Sequence, residues 1–284
     1  MNILALADLH IDLIQNDRND FYMFAQKMQI QNLINTYKPD FITISGDIVE
    51  RYVYLYHHKK SNNINLYKFL NNFFTPRSDK EIILDIPIIF CLGNHEFAFN
   101  SVDECLEAFN YAEYQNDSKY NIHCLDIVGN VEYDYVNFVG NVLWYDGSCS
   151  NRLDAKYHVE HIHEGWLDAT IKNFDALKEN QKCIKQIKNG IKKDKTNILI
   201  THMVPLYGLN KHNILKPDSI WNVYSGHGNL FKDYDINVDI AISGHTHLPV
   251  LENYVSDNKQ IECYNIGNDY FIYTQKVLFN IINV

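Results

Sequence analysis

Aspartates, histidines and one asparagine fall in five short pieces of the chain: Asp8-Leu9-His10, Gly46-Asp47-Ile48-Val49-Glu50-Arg51, Gly93-Asn94-His95-Glu96, a lone His202, and Gly244-His245-Thr246-His247. Carboxylate oxygens, an amide oxygen and imidazole nitrogens are donors that suit Mn, Fe, Zn or Ni. If they converge, they can hold two divalent ions with one ligand shared between them. That arrangement makes water nucleophilic and neutralises charge on a phosphoryl group. Asp8 and His10 are two apart, as are His245 and His247, so extended backbone would send both members of each pair to one side. Gly46 lets the chain turn closely just before Asp47. Alone, each piece has a bland explanation. Asp8-Leu9-His10 would be a strand-end turn, Gly46-Asp47 a common turn, His202 a core or surface histidine, and Gly244-His245-Thr246-His247 a site for one zinc or for nothing. Five such coincidences in this order, behind apolar runs, are improbable.

Something must deliver these pieces to one place. A strand is expected over Asn2–Ala7, a helix from about Asn19 to Lys38, a strand over Phe41–Ser45, a helix over Asn65–Phe74 and a strand over Pro87–Leu92. Phe21, Phe24, Ala25 and Met28 recur at helical spacing and predict the buried stripe of the first helix, which Pro39 ends. The β-α-β-α-β order predicts a parallel or mixed sheet covered by helices, with each motif just past a strand's carboxyl end, where open α/β sheets place ligands. Farther on, strands are expected over Asn121–Leu125, Val131–Val139, Asn141–Trp144, Asn197–Thr201 and Val238–Ser243, with a helix over Ile171–Ile191. Gly129-Asn130 and Gly140-Asn141 are expected as turns. Asp146–Leu167 has no clear period and reads as a loop over the cleft. Val250–Val255, Gln260–Ile266 and Tyr270–Ile281 predict antiparallel strands that complete a second sheet.

This set resembles the calcineurin-like metallophosphoesterases, whose pattern D-x-H, GD-x-x-[DE]-R, GNH[DE], H and GHxH is present in order from residue 8 to residue 247. The resemblance implies two mixed β-sheets flanked by helices, an α/β sandwich of four layers. It further implies one domain over 1–284, with a specificity or cap insertion around 146–170. By the same resemblance Asp8, His10, Asp47 and His247 would hold one metal, and Asp47, Asn94, His202 and His245 the other, with Asp47 bridging. Mn is the first expectation, with Fe, Zn or Ni as alternatives. A hydroxide shared by the two ions would attack phosphorus in line, and His95 would protonate the departing oxygen or steady charge there. Glu50 stands where the family usually has Asp, one methylene shorter, and would pair with His95 and raise its pKa. Arg51 is either a guanidinium fork for phosphate or a structural residue.

Bulk properties narrow the substrate. The chain has 284 residues, 46% hydrophobic and 21% charged, as in an ordinary globular protein. Its net charge of −10 gives no field to draw in nucleic acid. A nuclease of the DNA-repair type would need a local basic patch, and the candidate, Lys182 to Lys195, reads better as the solvated face of a helix. A protein phosphatase is disfavoured because Tyr52, not Gly, follows Arg51. A metal-binding scaffold without catalysis is disfavoured because no expected ligand is missing. A small-molecule or nucleotide phosphomonoester or phosphodiester is the favoured substrate. No secretory signal or membrane span is visible, so a cytoplasmic protein is expected. The six cysteines are scattered and predict free thiols. His158, His161 and His163 form HxxHxH, read as surface residues or as part of the substrate entrance. His57-His58, beside Lys59-Lys60, reads as an exposed loop.

Overall fold

The strands that lead into the motifs are buried on both faces, which is why each reads as an unbroken apolar run. The computed structural model describes residues 1–11, 19–49, 66–75, 84–116, 120–256, 259–268 and 277–284. In the first sheet β1 (Asn2–Leu6), β2 (Phe41–Ser45), β3 (Ile88–Cys91) and β4 (Ile122–Cys124) run parallel. The chain's last strand, Asn280–Asn283, is antiparallel to β1 at the edge of this sheet. The second sheet begins with the hairpin β5 (Asn130–Tyr133) and β6 (Val136–Asn141). It continues in parallel through β7 (Thr196–Thr201) and β8 (Ile240–Ser243). Beyond β8 lies β10 (Lys259–Asn265), parallel to it, and then β9 (Val250–Ser256), antiparallel to β10.

Alternation along the strands builds the layers. Ile3 and Ala5 of β1 meet Phe138, Ile198, Ile200 and Ile242 in the core between the sheets. Leu4 and Leu6 point the other way, into a core with Ile30 of α1 (Asn19–Tyr37) and Tyr67 and Leu70 of α2 (Leu66–Phe74). On the far side, Val139, Leu199 and Ala241 pack with Ile184 and Ile187 of a helix over Ala176–Gly190. The result is helix, sheet, sheet, helix, as the sequence leads one to expect.

Several local expectations fail for identifiable reasons. Val131–Val139 is not one strand but a hairpin that turns at Asp134-Tyr135, where Asp134 takes a positive φ of 30°. Gly140-Asn141 is no turn; both lie in β6, and a Cβ at Gly140 would overlap the Ile200 carbonyl of β7. The helix expected from Ile171 starts at Ala176, because the Asp175 side chain accepts the Lys178 N–H and caps it. In α1 Phe24 and Met28 are about half exposed, whereas Gln26, Ile30 and Gln31 are buried. The glutamines are tolerated inside because their amides donate to the carbonyls of Leu9 and Thr75. Of the strand expected over Tyr270–Ile281, residues 270–276 lie outside the described ones, and the described strand Asn280–Asn283 joins the first sheet, not the second. Asp146–Leu167 contains a short helix, Ala155–Glu160. Lys182 pairs with Glu179, and Lys192 and Lys195 pair with Glu132, in keeping with a solvated face. All six cysteines are free and buried. No described helix is long and apolar enough to cross a membrane.

One side chain joins the two sheets directly. Asp126 accepts the Leu92 N–H, just past β3, through one oxygen, and the Val142 N–H, just past β6, through the other. Asp126→Ala would leave both buried donors without an acceptor. A loss of about 2–4 kcal/mol is expected, to be checked by urea unfolding; an unchanged midpoint would show that the sheets register without it.

Candidate metal centre

Because β1, β2 and β3 run parallel, and β7 and β8 do likewise, the two sheets present their carboxyl ends at one edge. Asp8 follows β1, Asp47 follows β2, Asn94 and His95 follow β3, His202 follows β7, and His245 and His247 follow β8. The backbone there is not extended. Asp8, His10, Asp47, His245 and His247 have φ of 50°, 43°, 48°, 70° and 54°, in the left-handed region that costs ordinary residues energy. The pairs Asp8/His10 and His245/His247 therefore share a site through tight turns rather than through the strand alternation expected of them. Hydrogen bonds hold these turns: Asp8 N–H to the Gly46 carbonyl (3.1 Å) and His10 N–H to the Asp47 carbonyl (2.9 Å). The His245 N–H reaches both Asp8 carboxylate oxygens at 3.1 Å.

Two glycines are required by closeness. A Cβ on Gly46, whose φ is +74°, would overlap the His202 ring, and one on Gly93 would overlap the Asp47 carboxylate. Glu96, for which the sequence suggested no role, binds the loops together. Its carboxylate accepts the N–H groups of Gly93 (2.6 Å), Asp47 (3.2 Å) and Val49 (2.8 Å). The signal was present as a capping-box spacing, Glu96 at the third position of the short helix after Gly93. Burial, with Asp47 nearby, raises the Glu96 pKa to about 8.

Two donor groups result. Atoms of Asp8, His10, Asp47 and His247 lie within 4.8 Å of one another, as do atoms of Asp47, His202 and His245. His202 Nδ1 donates to the Ser45 carbonyl (3.0 Å), which leaves its Nε2 as a lone-pair donor. That Nε2 faces Asn94 Oδ1 at 2.9 Å, His245 Nδ1 at 3.1 Å and Asp47 Oδ2 at 3.3 Å. Asn94 presents its oxygen because its amide nitrogen donates to Asp168 (2.8 Å). Electron-pair donors thus converge on one small space, which is the fit a divalent cation requires. The crowded groups also shift one another's titration. Burial opposes charge on His202, but Asp47 outweighs it and raises its pKa to about 9. Burial and the His202 charge push His245 well down. Burial raises Asp8 to about 6 against the pull of His202. Burial also acts on Asp47, yet His202, His95 and His10 hold it well below the carboxylate range.

His95 stands beside this cluster, its Nε2 3.8 Å from Asp47 Oδ2, with its side chain 16% exposed. Its N–H donates to Asp47 Oδ1 (3.0 Å). Glu50 and Arg51 lie outside the described residues, as do His57 and His58. Asp168, fully buried, was missed by sequence reasoning: nothing in Trp166-Leu167-Asp168 marks it. Besides Asn94 it accepts the Trp166 indole N–H (2.8 Å), and burial raises its pKa. His158, His161 and His163 do not converge. His158 lies 3.2 Å from Asp154, His161 stacks on Tyr157, and His163 meets the edge of Trp221. A cavity of about 560 Å³ opens from the cluster, and its lining includes Asn94, His95 and His245 of the cluster together with Trp166, Lys216 and Trp221.

A family model for the calcineurin-like phosphoesterases matches residues 1–249. No curated protein matches the chain. Among solved structures, the phosphopantetheinyl hydrolase of Mycobacterium tuberculosis aligns with a TM-score of 0.59 and 13% identity, over 99% of this chain and 95% of that one. A dimetal phosphatase from Danio rerio aligns with a TM-score of 0.45 and 13% identity, over 94% of this chain and 87% of that one. A putative 5'-nucleotidase from Staphylococcus aureus gives 0.46 and 13%, over 93% of this chain and 48% of that one. At such identity the first likeness is one of fold. The family match takes in every motif set out above, and the chain belongs to the calcineurin-like phosphoesterases.

Proposed function

We propose that the protein is a hydrolase of small-molecule phosphate esters, nucleotides included, that works with two divalent metal ions. The observation that carries this reading is the pair of donor groups sharing Asp47. Asp8, His10, Asp47 and His247 would hold one ion, and Asp47, Asn94, His202 and His245 the other. When bound, the ions supply Lewis acidity that activates water near neutral pH and neutralises the phosphoryl oxygens. Mn is the first metal to test, before Fe, Zn or Ni.

The rest falls to the chain's own side chains. His95 lines the cavity beside the cluster and is placed to hand a proton to the leaving oxygen. Glu50 and Arg51 keep the roles the motif gives them, a carboxylate partner for His95 and a phosphate fork or structural arginine. Asp168 is a positioning residue: it fixes the Asn94 amide so that the oxygen faces His202. Segment 146–170 would act as the specificity insertion of a single domain, since Gly165, Trp166 and Leu167 line the cavity.

With Mn²⁺ added, purified protein is expected to hydrolyse an aryl phosphate or a bis-aryl phosphate. If metal is bound and neither is cleaved, the proposal fails. His95→Ala should keep its metal content and lose about 10²–10⁴-fold in turnover; metal loss on that substitution would contradict its role. Asp47→Asn should weaken both sites, and a variant retaining two ions with full activity would sink the shared position. Asp168→Ala should lower metal affinity by about 10–100-fold, read by titration with a competing chelator; unchanged affinity would make Asp168 merely structural.

A further inference from the structure

Part of the cavity lining is aromatic, and no expected ligand or acid accounts for it. Trp166 stacks on Trp221 with ring centres 5.2 Å apart and planes 25° from parallel. It also stacks on Tyr224 at 5.4 Å and 20°. Its edge contact with His245, at 5.9 Å, joins this aromatic group to the cluster. Trp166 and Tyr224 are fixed by hydrogen bonds, the first to Asp168 and the second from the His163 N–H to its hydroxyl. Trp221 also lies 6.3 Å from Tyr224, so the three rings pack mutually and not in a linear stack. Trp221 lines the cavity and leaves 40% of its surface exposed, so part of the indole is open to a ligand there, and aromatic rings favour offset stacking on another ring.

Charge points to the same class of ligand. The chain carries a net charge of −10, which repels an anionic substrate. Among the described residues lining the cavity, Lys216 is the lysine or arginine present, exposed and in the same lining as Trp221. An ammonium there offsets local repulsion and can receive an anionic group other than the one at the metals.

We infer that Trp221, backed by Trp166, is a stacking platform for the nucleobase of a nucleotide substrate, and that Lys216 receives a second phosphate. This inference rests on the hydrolase reading for its use, although the ring subsite itself does not require turnover. Sugar phosphates of similar size lack the planar ring and gain nothing from the platform. The cavity volume, about 560 Å³, falls in the range that encloses ligands of nucleotide size.

The test separates ring binding from hydrolysis. Adenosine, which has no phosphate to cleave, is titrated into the metal-loaded full-length protein and followed by tryptophan fluorescence and calorimetry. Saturable quenching is expected, weakened about tenfold or more in Trp221→Ala and largely restored in Trp221→Phe, which keeps a ring. In hydrolysis, Trp221→Ala should raise KM for AMP by a like factor while leaving ribose 5-phosphate unchanged. Lys216→Gln should weaken ADP and leave adenosine alone. Absent adenosine binding, failure of Trp221→Phe to recover it, or equal losses for AMP and ribose 5-phosphate would overturn the platform. ADP binding indifferent to Lys216→Gln would overturn the second-phosphate contact. If adenosine binds through Trp221 but no ester is cleaved, the hydrolase reading falls and the ring subsite stands.

Discussion

The site is organised around one carboxylate. Asp47 receives the His95 N–H through Oδ1, while its Oδ2 confronts nitrogens of His10, His95 and His202 at 3.9, 3.8 and 3.3 Å. Its backbone is no freer: the N–H is held by Glu96 and the carbonyl by His10. Gly93 must be a glycine because the Asp47 side chain occupies the space beside it. Four loops from two sheets are therefore set by what Asp47 can tolerate around it. A buried anion so placed demands compensating positive charge, and the architecture brings imidazoles from three loops to supply it.

The two sheets make this possible by a simple parity. Parallel strands end on the same side, so β1 to β3 and β7 to β8 need only face one another in one orientation for their terminal loops to meet. Asp126 guards that orientation from outside the site, with one oxygen on the chain leaving β3 and the other on the chain leaving β6. The interleaved core of Ile3, Ala5, Phe138, Ile198 and Ile242 supplies the bulk of the adhesion, but apolar contact is non-directional. Hydrogen bonds to a shared carboxylate are directional, and they fix the relative placement of the loops.

What could be read beforehand followed from chemistry that leaves local traces. Apolar runs marked the strands that lead into the motifs, although residues 142–144, expected as part of a strand, lie beyond the end of β6. Polar residues at the strand ends marked the cluster, with Asp8, His10, Asp47, Asn94, His202, His245 and His247 all brought together. What escaped depended on contacts distant in sequence. Asp168 means nothing until Asn94 and Trp166 are seen to donate to it. The exposed Phe24 and Met28 of α1 defeat a helical stripe because Gln26 and Gln31 find buried carbonyls to bond. The hairpin at Asp134-Tyr135 carries no glycine, so turn composition pointed to Gly140-Asn141 instead. His212 and His227 gave no signal, yet the first lines the cavity and the second is buried against Asp146.

The left-handed turns at Asp8, His10, Asp47, His245 and His247 carry a further implication. Such positions cost on the order of 1–3 kcal/mol each in residues with a Cβ, and glycine would relieve them. At Asp8 and Asp47 that relief is opposed by the N–H groups their carboxylates accept, from His245, Asn268 and His95. The strain at these two turns is therefore held in place by the same side chains that sit in them. Glycine at Asp8 or Asp47 would ease the backbone and release the neighbouring loops at one stroke.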